Sequence, residues 1–474
     1  MRFVGRSIEL GRLEQQLAPV LAGEGGRALL VNGRRRVGKS RLVEEFCERS
    51  GLPYVVFQAT RGRPPAAERG DFLAAVARSP LSGAAHLEGL VAPDWTRALR
   101  SLALAVANTP AIVVLDELPW LMEQDREVEG ALQTAWDQEL SRLPVLLVLV
   151  GSDSAVMQAL QSPTRAFHRR AVPMTVEPLS PADVQDMTGL AAADAVDATL
   201  VTGGYPELVT DWPSGATWRD HLTESLRTPL SPLLVAGRLT LLGEFPETSL
   251  NAGVLRAVGS GERTFSTIAT AAGGAAPLAA GTLSPLLQAL VARGVLAVDR
   301  PLSAKLDTRT TRYRIADPYL RFWLALLADG IPLVERGRGD LVMARIEASW
   351  SSWRGRAVEP LVREAVARLA PGAGWPDVAT VGGWWNRANN PEVDLVGADR
   401  DTPARHVRFV GSVKWHEATP FGPRERYELE RDAVAVPGAD GTTPLVAVSR
   451  AGATSDLDLA AVWGPEDVVD AFRP

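Results

Sequence analysis

The stretch RALLVNGRRRVGKSRLVEEF, residues 27–46, leaves a chain little conformational freedom: an apolar run rich in β-formers enters a glycine-bounded loop, and the loop opens at once into a helical pattern. Gly33, Gly38, Lys39 and Ser40 satisfy GxxxxGKS. Glycines at those positions let backbone N–H groups close around phosphates, the lysine reaches the outer phosphates, and the serine hydroxyl ligates magnesium at a helix amino terminus. Residues Gly33, Arg34, Arg35, Arg36, Val37, Gly38, Lys39, Ser40 and Arg41 are therefore expected to cradle ATP with Mg2+, within an α/β domain built on a parallel sheet.

Composition sharpens the choice of lysine. Of 50 basic residues only Lys39, Lys305 and Lys414 are lysines. Exposed charges tolerate the exchange for arginine, whereas a site that needs a compact point charge does not. The three lysines are thus the first places to look for chemistry. A net charge of -6 does not advertise a nucleic-acid binder, so such a role would need a local basic surface. The lone Cys47, in an apolar helical run, excludes an internal disulfide framework and fits a reducing compartment. No run approaches the length of a membrane span, and the start lacks a signal-peptide pattern; a cytoplasmic protein is expected.

A phosphate loop needs a carboxylate at the end of a neighbouring parallel strand, and AIVVLDELPWL supplies one. Asp116 would hold the metal and Glu117 would activate the attacking water. The next apolar strand, LPVLLVLVG, ends in SDS, which offers Ser152 or Asp153 as a polar group beside the γ-phosphate, with Ser152 preferred.

The opening FVGRSIEL, the phosphate loop, LDELPW, LVGSDSAVM and TGGYPELV, in this order, resemble the AAA+/STAND-related ATPases of the MNS clade, common in archaea and found in bacteria. The resemblance implies that Phe3, Val4, Gly5 and Arg6 lie near adenine and that the Gly204–Pro206 element of a helical lid contacts nucleotide. It implies hydrolysis used as a conformational switch. ATPases of the AAA+ type also carry an arginine that reaches a neighbouring subunit's nucleotide, where Arg169 and Arg170 stand here; Arg170 is assigned that part, which would require a homo-oligomer.

Beyond residue 245, three short amphipathic helices and two strands predict a winged helix-turn-helix. Its candidate recognition helix, Thr282 to Arg293, lacks base-reading side chains; Lys305, Arg309, Arg312 and Arg314 could meet phosphates from the wing, and a spacer role inside a multidomain ATPase is the equal alternative. ADPYLRFWLALL resembles the family's segment after its winged helix and reads as an interdomain brace.

The last region presents a long helix containing Glu359, a strand ending near Asp394, and a strand with Lys414, the order of a restriction-endonuclease-like PD-(D/E)xK fold. Residues two apart on a strand share a face, so an acid at 412 would join Lys414 around a metal. The family carries Gly-Glu-Cys-Lys-Trp at this place; here Ser412 replaces the acid. A hydroxyl is a weak ligand for a hard cation. Glu392, on the face of Asp394, is the one candidate to compensate.

The resulting expectation is a multidomain α/β protein: a P-loop core at 1–178, a helical lid at 179–244, a winged helix at 245–330, and a degenerate nuclease-like domain at 331–474. It would bind and hydrolyse ATP and couple nucleotide state to a domain that holds duplex DNA or a partner protein. The alternative is an ATP-dependent, metal-dependent nuclease with a displaced acid.

Overall fold

The computed structural model describes residues 3–106, 109–152, 154–244, 250–261, 263–305 and 310–473. Asp153 and Arg309 lie outside the described residues. The chain divides into two compact units, one ending at Pro178 and the other running from Leu179 to Arg473.

The first unit holds five parallel strands: β1 (Arg27–Asn32), β2 (Tyr54–Gln58), β3 (Ala111–Asp116), β4 (Val145–Gly151) and β5 (Val172–Thr175), in spatial order β2-β3-β4-β1-β5. β4 lies between the phosphate-loop strand β1 and the acidic strand β3. β3 and β4 are buried along their whole length, which is why both read as unbroken apolar runs rather than as alternating ones. One face is covered by the helices Pro65–Ala77, Trp95–Val106 and Val128–Gln138, whose Phe72, Leu99, Leu102 and Leu132 meet Leu30, Val113, Leu115 and Leu147. The helix Ser7–Leu21 packs on β1 and β4. All strands point the same way, so β1, β3 and β4 deliver their carboxyl ends, and the residues after them, to one edge. In a parallel α/β sheet, ligands bind at that edge.

The second unit opens with helices, among them Ala192–Thr202, Pro206–Thr210 and Trp218–Ser225. Three more follow, Leu250–Gly259, Phe265–Gly273 and Ala280–Ala292, and then the antiparallel ribbon β6 (Leu296–Asp299) and β7 (Arg312–Ile315). The 31-residue helix Gly339–Leu369 leads into a mixed sheet. Its strands are β8 (Thr380–Trp385), β9 (Glu392–Ala398), β10 (Val407–Lys414), β11 (Leu445–Ser449) and β12 (Ala461–Trp463), ordered β12-β11-β10-β9-β8. β8, β9 and β10 run antiparallel in turn, and β11 and β12 run parallel to β10. Alternating residues serve two cores. Leu395, Phe409, Val446 and Val448 pack with Val358, Val362 and Val366 of the long helix, while Val396, Val410 and Ala447 pack with Leu429 and Ala433 of the helix Pro423–Ala433.

A buried ion-pair hub joins the helix Ala192–Thr202 to this sheet. Asp197, 1% exposed, accepts from Arg354 of the long helix and from Arg450, which follows β11, each at 2.9 Å. Arg354 also donates to the Trp415 carbonyl at 3.1 Å, beside Lys414.

The connection after β6 is not a free wing. Leu302 N donates to Gly383 O, Ala304 N to Pro437 O, and Leu302 is buried against the mixed sheet. Arg312 is buried under Trp385 and paired with Glu392, and Arg314 is paired with Asp299. The expectation that Arg312 and Arg314 meet phosphates from a wing is therefore corrected: their partners lie within this unit. Lys305 is exposed.

Candidate functional site

The loop after β1 is shaped by two glycines. A Cβ at Gly33 would stand 2.4 Å from the Val176 carbonyl oxygen, and Gly38 sits at φ 88° as it caps the helix Lys39–Ser50, a conformation that costs glycine little. Inside the loop, Lys39 folds back so that Nζ donates to the carbonyls of Gly33 at 2.9 Å and Arg34 at 2.8 Å. Burial pulls this ammonium below the ordinary lysine range, against the opposing pull of Glu117 and Asp116. Val37 is buried, whereas Arg35, Arg36 and Arg41 are exposed, Arg41 pairing with Glu45 along its own helix.

β3 brings its acids to the same edge. Ser40 Oγ donates to Asp116 Oδ2 at 2.7 Å, which joins the loop to the strand end. Asp116 is buried, and its other oxygen accepts the Glu117 amide at 2.9 Å. Glu117 adopts a left-handed φ of 55°, strained for a residue with a side chain, and Ser152 Oγ donates to its Oε2 at 3.0 Å. Three strand ends thus converge: Ser40 from the loop after β1, Asp116 and Glu117 from β3, Ser152 from β4. A serine hydroxyl beside a buried carboxylate is the kind of oxygen donor set that suits a hard cation, so these residues fit magnesium.

The amino-terminal stretch lies along the loop. Arg6 is buried and donates to Val37 O at 2.7 Å and Glu177 O at 2.6 Å. The Phe3 ring lies beside the guanidiniums of Arg41 and Arg49, 5.9 and 5.6 Å away, and Val4 and Gly5 connect the two contacts. Pro206 belongs to the second unit, in the first turn of Pro206–Thr210, where the neighbouring Tyr205 hydroxyl donates to Asp317.

Arg170 is engaged within its own unit. Its guanidinium grips Asp137 bidentately at 2.8 and 2.7 Å, and that hydrogen bonding holds the Asp137 carboxyl below the usual range. Arg169 is exposed, at a left-handed φ of 60°.

The second candidate pocket surrounds Asp394. The β9–β10 register ends at Leu395 opposite Gly411, and Asp394 Oδ2 then accepts both Ser412 Oγ at 2.9 Å and the Val413 amide at 2.8 Å. Lys414 is half-buried and its ammonium has no hydrogen bond or ion pair among the described residues. Glu359 pairs with Arg363 at 2.9 Å; burial, offset by Arg363 but reinforced by Asp394 and Glu392, pushes Glu359 up to about 7. Glu392 is gripped by Arg312 through both oxygens, with Arg263 at 3.9 Å. It does not stand free to replace the missing acid. Sequence reading missed these pairings and took Arg312 for a wing cation. Only the Glu359/Arg363 spacing of four on one helix was visible in advance.

Strand order, loop and acidic strand end define the first unit as a P-loop ATPase fold. Residues 2–148 match the AAA ATPase domain family, and the chain is an ATPase. Residues 323–426 match a second family, described as archaeal and bacterial proteins of unknown function. An uncharacterised protein of Methanocaldococcus jannaschii is 22% identical over 420 residues, 88% of each chain. Among solved structures, a Walker-type ATPase of Pyrococcus abyssi is similar over 68% of this chain and 96% of its own, at 18% identity and a TM-score of 0.49. The ORC2 protein of Aeropyrum pernix is similar over 72% and 95%, at 14% identity and a TM-score of 0.45. No described helix is long and apolar enough to cross a membrane.

Proposed function

We propose that the chain is an ATP-driven switch whose carboxy-terminal nuclease-like domain holds duplex DNA without cutting it. In the first unit, Lys39 exchanges the carbonyls of Gly33 and Arg34 for the outer phosphates, and the loop amides take the remaining phosphate oxygens. Residues 3–6 and Pro206 are assigned to the base and nucleotide contacts that the family resemblance implies. Ser40 and Asp116 would hold the magnesium, which when bound would neutralise charge at the phosphates. Glu117 takes the proton of the attacking water, and the Ser152 hydroxyl keeps its carboxylate aimed. Arg169, rather than Arg170, is the arginine free to reach a second copy.

The Asp197 hub supports coupling within the second unit, because the helix that precedes Pro206 shares one buried carboxylate with Arg354, which donates to the Trp415 carbonyl beside Lys414. Breaking such a buried pair is costly, so these segments are expected to move together. The three helices and ribbon at 250–315 are read as a winged helix serving as a spacer, since its ribbon is committed to the mixed sheet.

The observation that carries the non-cutting reading is at position 412. A hydroxyl stands where the acid is needed, and it donates to Asp394 instead of offering a charge to a metal. Incubation of wild type and Ser412→Glu with duplex DNA and Mg2+ or Mn2+ tests it. The wild type is expected to leave the duplex intact and the variant to gain at most weak cleavage; cutting by the wild type would overturn the assignment.

A further inference from the structure

The pocket around Asp394 differs from a metal-dependent nuclease site by more than one residue. Among the described residues no three His, Cys, Asp or Glu side chains converge as a metal-holding set. Each carboxylate of the pocket is already engaged: Glu359 by Arg363, Glu392 by Arg312, and Asp394 Oδ2 by Ser412 and the Val413 amide. The magnesium that the fold would imply does not fit this arrangement, because Ser412 offers a neutral oxygen where a charged one is needed and arginines already compensate Glu359 and Glu392.

Two further guanidiniums turn the balance positive. The Arg263 side chain has no hydrogen bond among the described residues and stands 3.9 Å from Glu392, at a rim where both side chains are about one third exposed, 33% and 30%. Arg321 donates to the carbonyls of Arg356 at 3.0 Å and Ala357 at 3.4 Å, one helical turn before Glu359, which leaves N–H groups of its five unused. Burial pulls both guanidiniums below the ordinary arginine range, and each interacts electrostatically with Glu359 and with the other's neighbourhood. Four arginines therefore face three carboxylates. Desolvated guanidiniums with open donors favour an anion, and their planar fork matches phosphate.

We propose that this pocket is a metal-independent phosphate site, in which Arg263 and Arg321 take the phosphate oxygens that a nuclease would present to its metal ions. The proposal rests on the DNA-holding reading above and deepens it, since it names phosphate as the group recognised. The phosphate could belong to a nucleic-acid backbone or to a free phosphate or monoester, and the test separates them. Because the Arg263 side chain makes no hydrogen bond among the described residues and its ion pair with Glu392 is long, at 3.9 Å, its replacement is expected to leave the fold intact.

The experiment uses the full chain in the Lys39→Ala background, so that the nucleotide loop does not compete, with EDTA throughout. Inorganic phosphate is titrated by calorimetry, and a short labelled duplex by fluorescence anisotropy. Both are expected to bind, to weaken about tenfold with Arg263→Ala, and to weaken less with Arg263→Lys. If phosphate responds to Arg263 and the duplex does not bind, the site stands, its ligand is a free phosphate or monoester, and the DNA-holding reading falls. If the duplex binds without regard to Arg263, that reading survives and the phosphate site is overturned. Binding of either probe that requires Mg2+ also overturns it.

Discussion

The pockets around Lys39 and Lys414 use the same local device to opposite ends. Each places a lysine near a strand end and an aspartate that accepts a serine hydroxyl, Ser40 to Asp116 at 2.7 Å and Ser412 to Asp394 at 2.9 Å. They differ in the second acid. Glu117 accepts from the neutral Ser152, whereas Glu359 and Glu392 are paired with arginines. A carboxylate held by a hydroxyl alone stays open to water, as proposed for Glu117; one gripped by a guanidinium is tied to its partner. Residue type therefore tells less about chemistry than the charge of the nearest partner.

The comparison can be broken at several points. Lys39→Ala should weaken ATP binding on the order of a hundredfold by calorimetry, because a charge-assisted contact to phosphate is lost in a buried site, and any nucleotide-dependent change in duplex affinity should vanish with it. Unchanged affinity would sink the loop assignment. Glu117→Gln should leave ATP affinity within about twofold yet slow hydrolysis roughly 10²- to 10⁴-fold, read from phosphate release, as expected for removal of a general base. A variant that hydrolyses at the wild-type rate would move the base elsewhere. The smallest effect is expected in the second pocket. Asp394→Asn retains an acceptor for Ser412 and Val413, so duplex anisotropy should shift by no more than about twofold. Collapse of binding there would mean that Asp394 works as a metal ligand after all, and the contrast between the two pockets would disappear.

Much of the first unit was legible before any coordinates. GRRRVGKS and LDEL constrain backbone and charge locally, and the unbroken apolar runs of β3 and β4 follow from burial on both faces. Glycine at 38 was readable for the same reason: a left-handed φ excludes most other residues cheaply. The pairing of Arg170 with Asp137 was not, because those residues are brought together by packing rather than by spacing. The second unit shows this more strongly. Arg312 and Arg314 looked like wing cations on an exposed ribbon, and Arg312 proved to be buried under Trp385 and spent on Glu392, eighty residues later.

The sequence by itself determined where phosphate chemistry is possible, since a loop, a lysine and a serine in fixed register act through their own backbone, and it showed that the acid at 412 is absent. Only the tertiary structure decided what the remaining charges do. Whether an arginine is a solvated surface group, a clamp on Glu392 or an open donor like Arg263 depends on which distant carboxylate lies within a few ångströms, and Coulomb interactions in a partly buried pocket are settled by that distance.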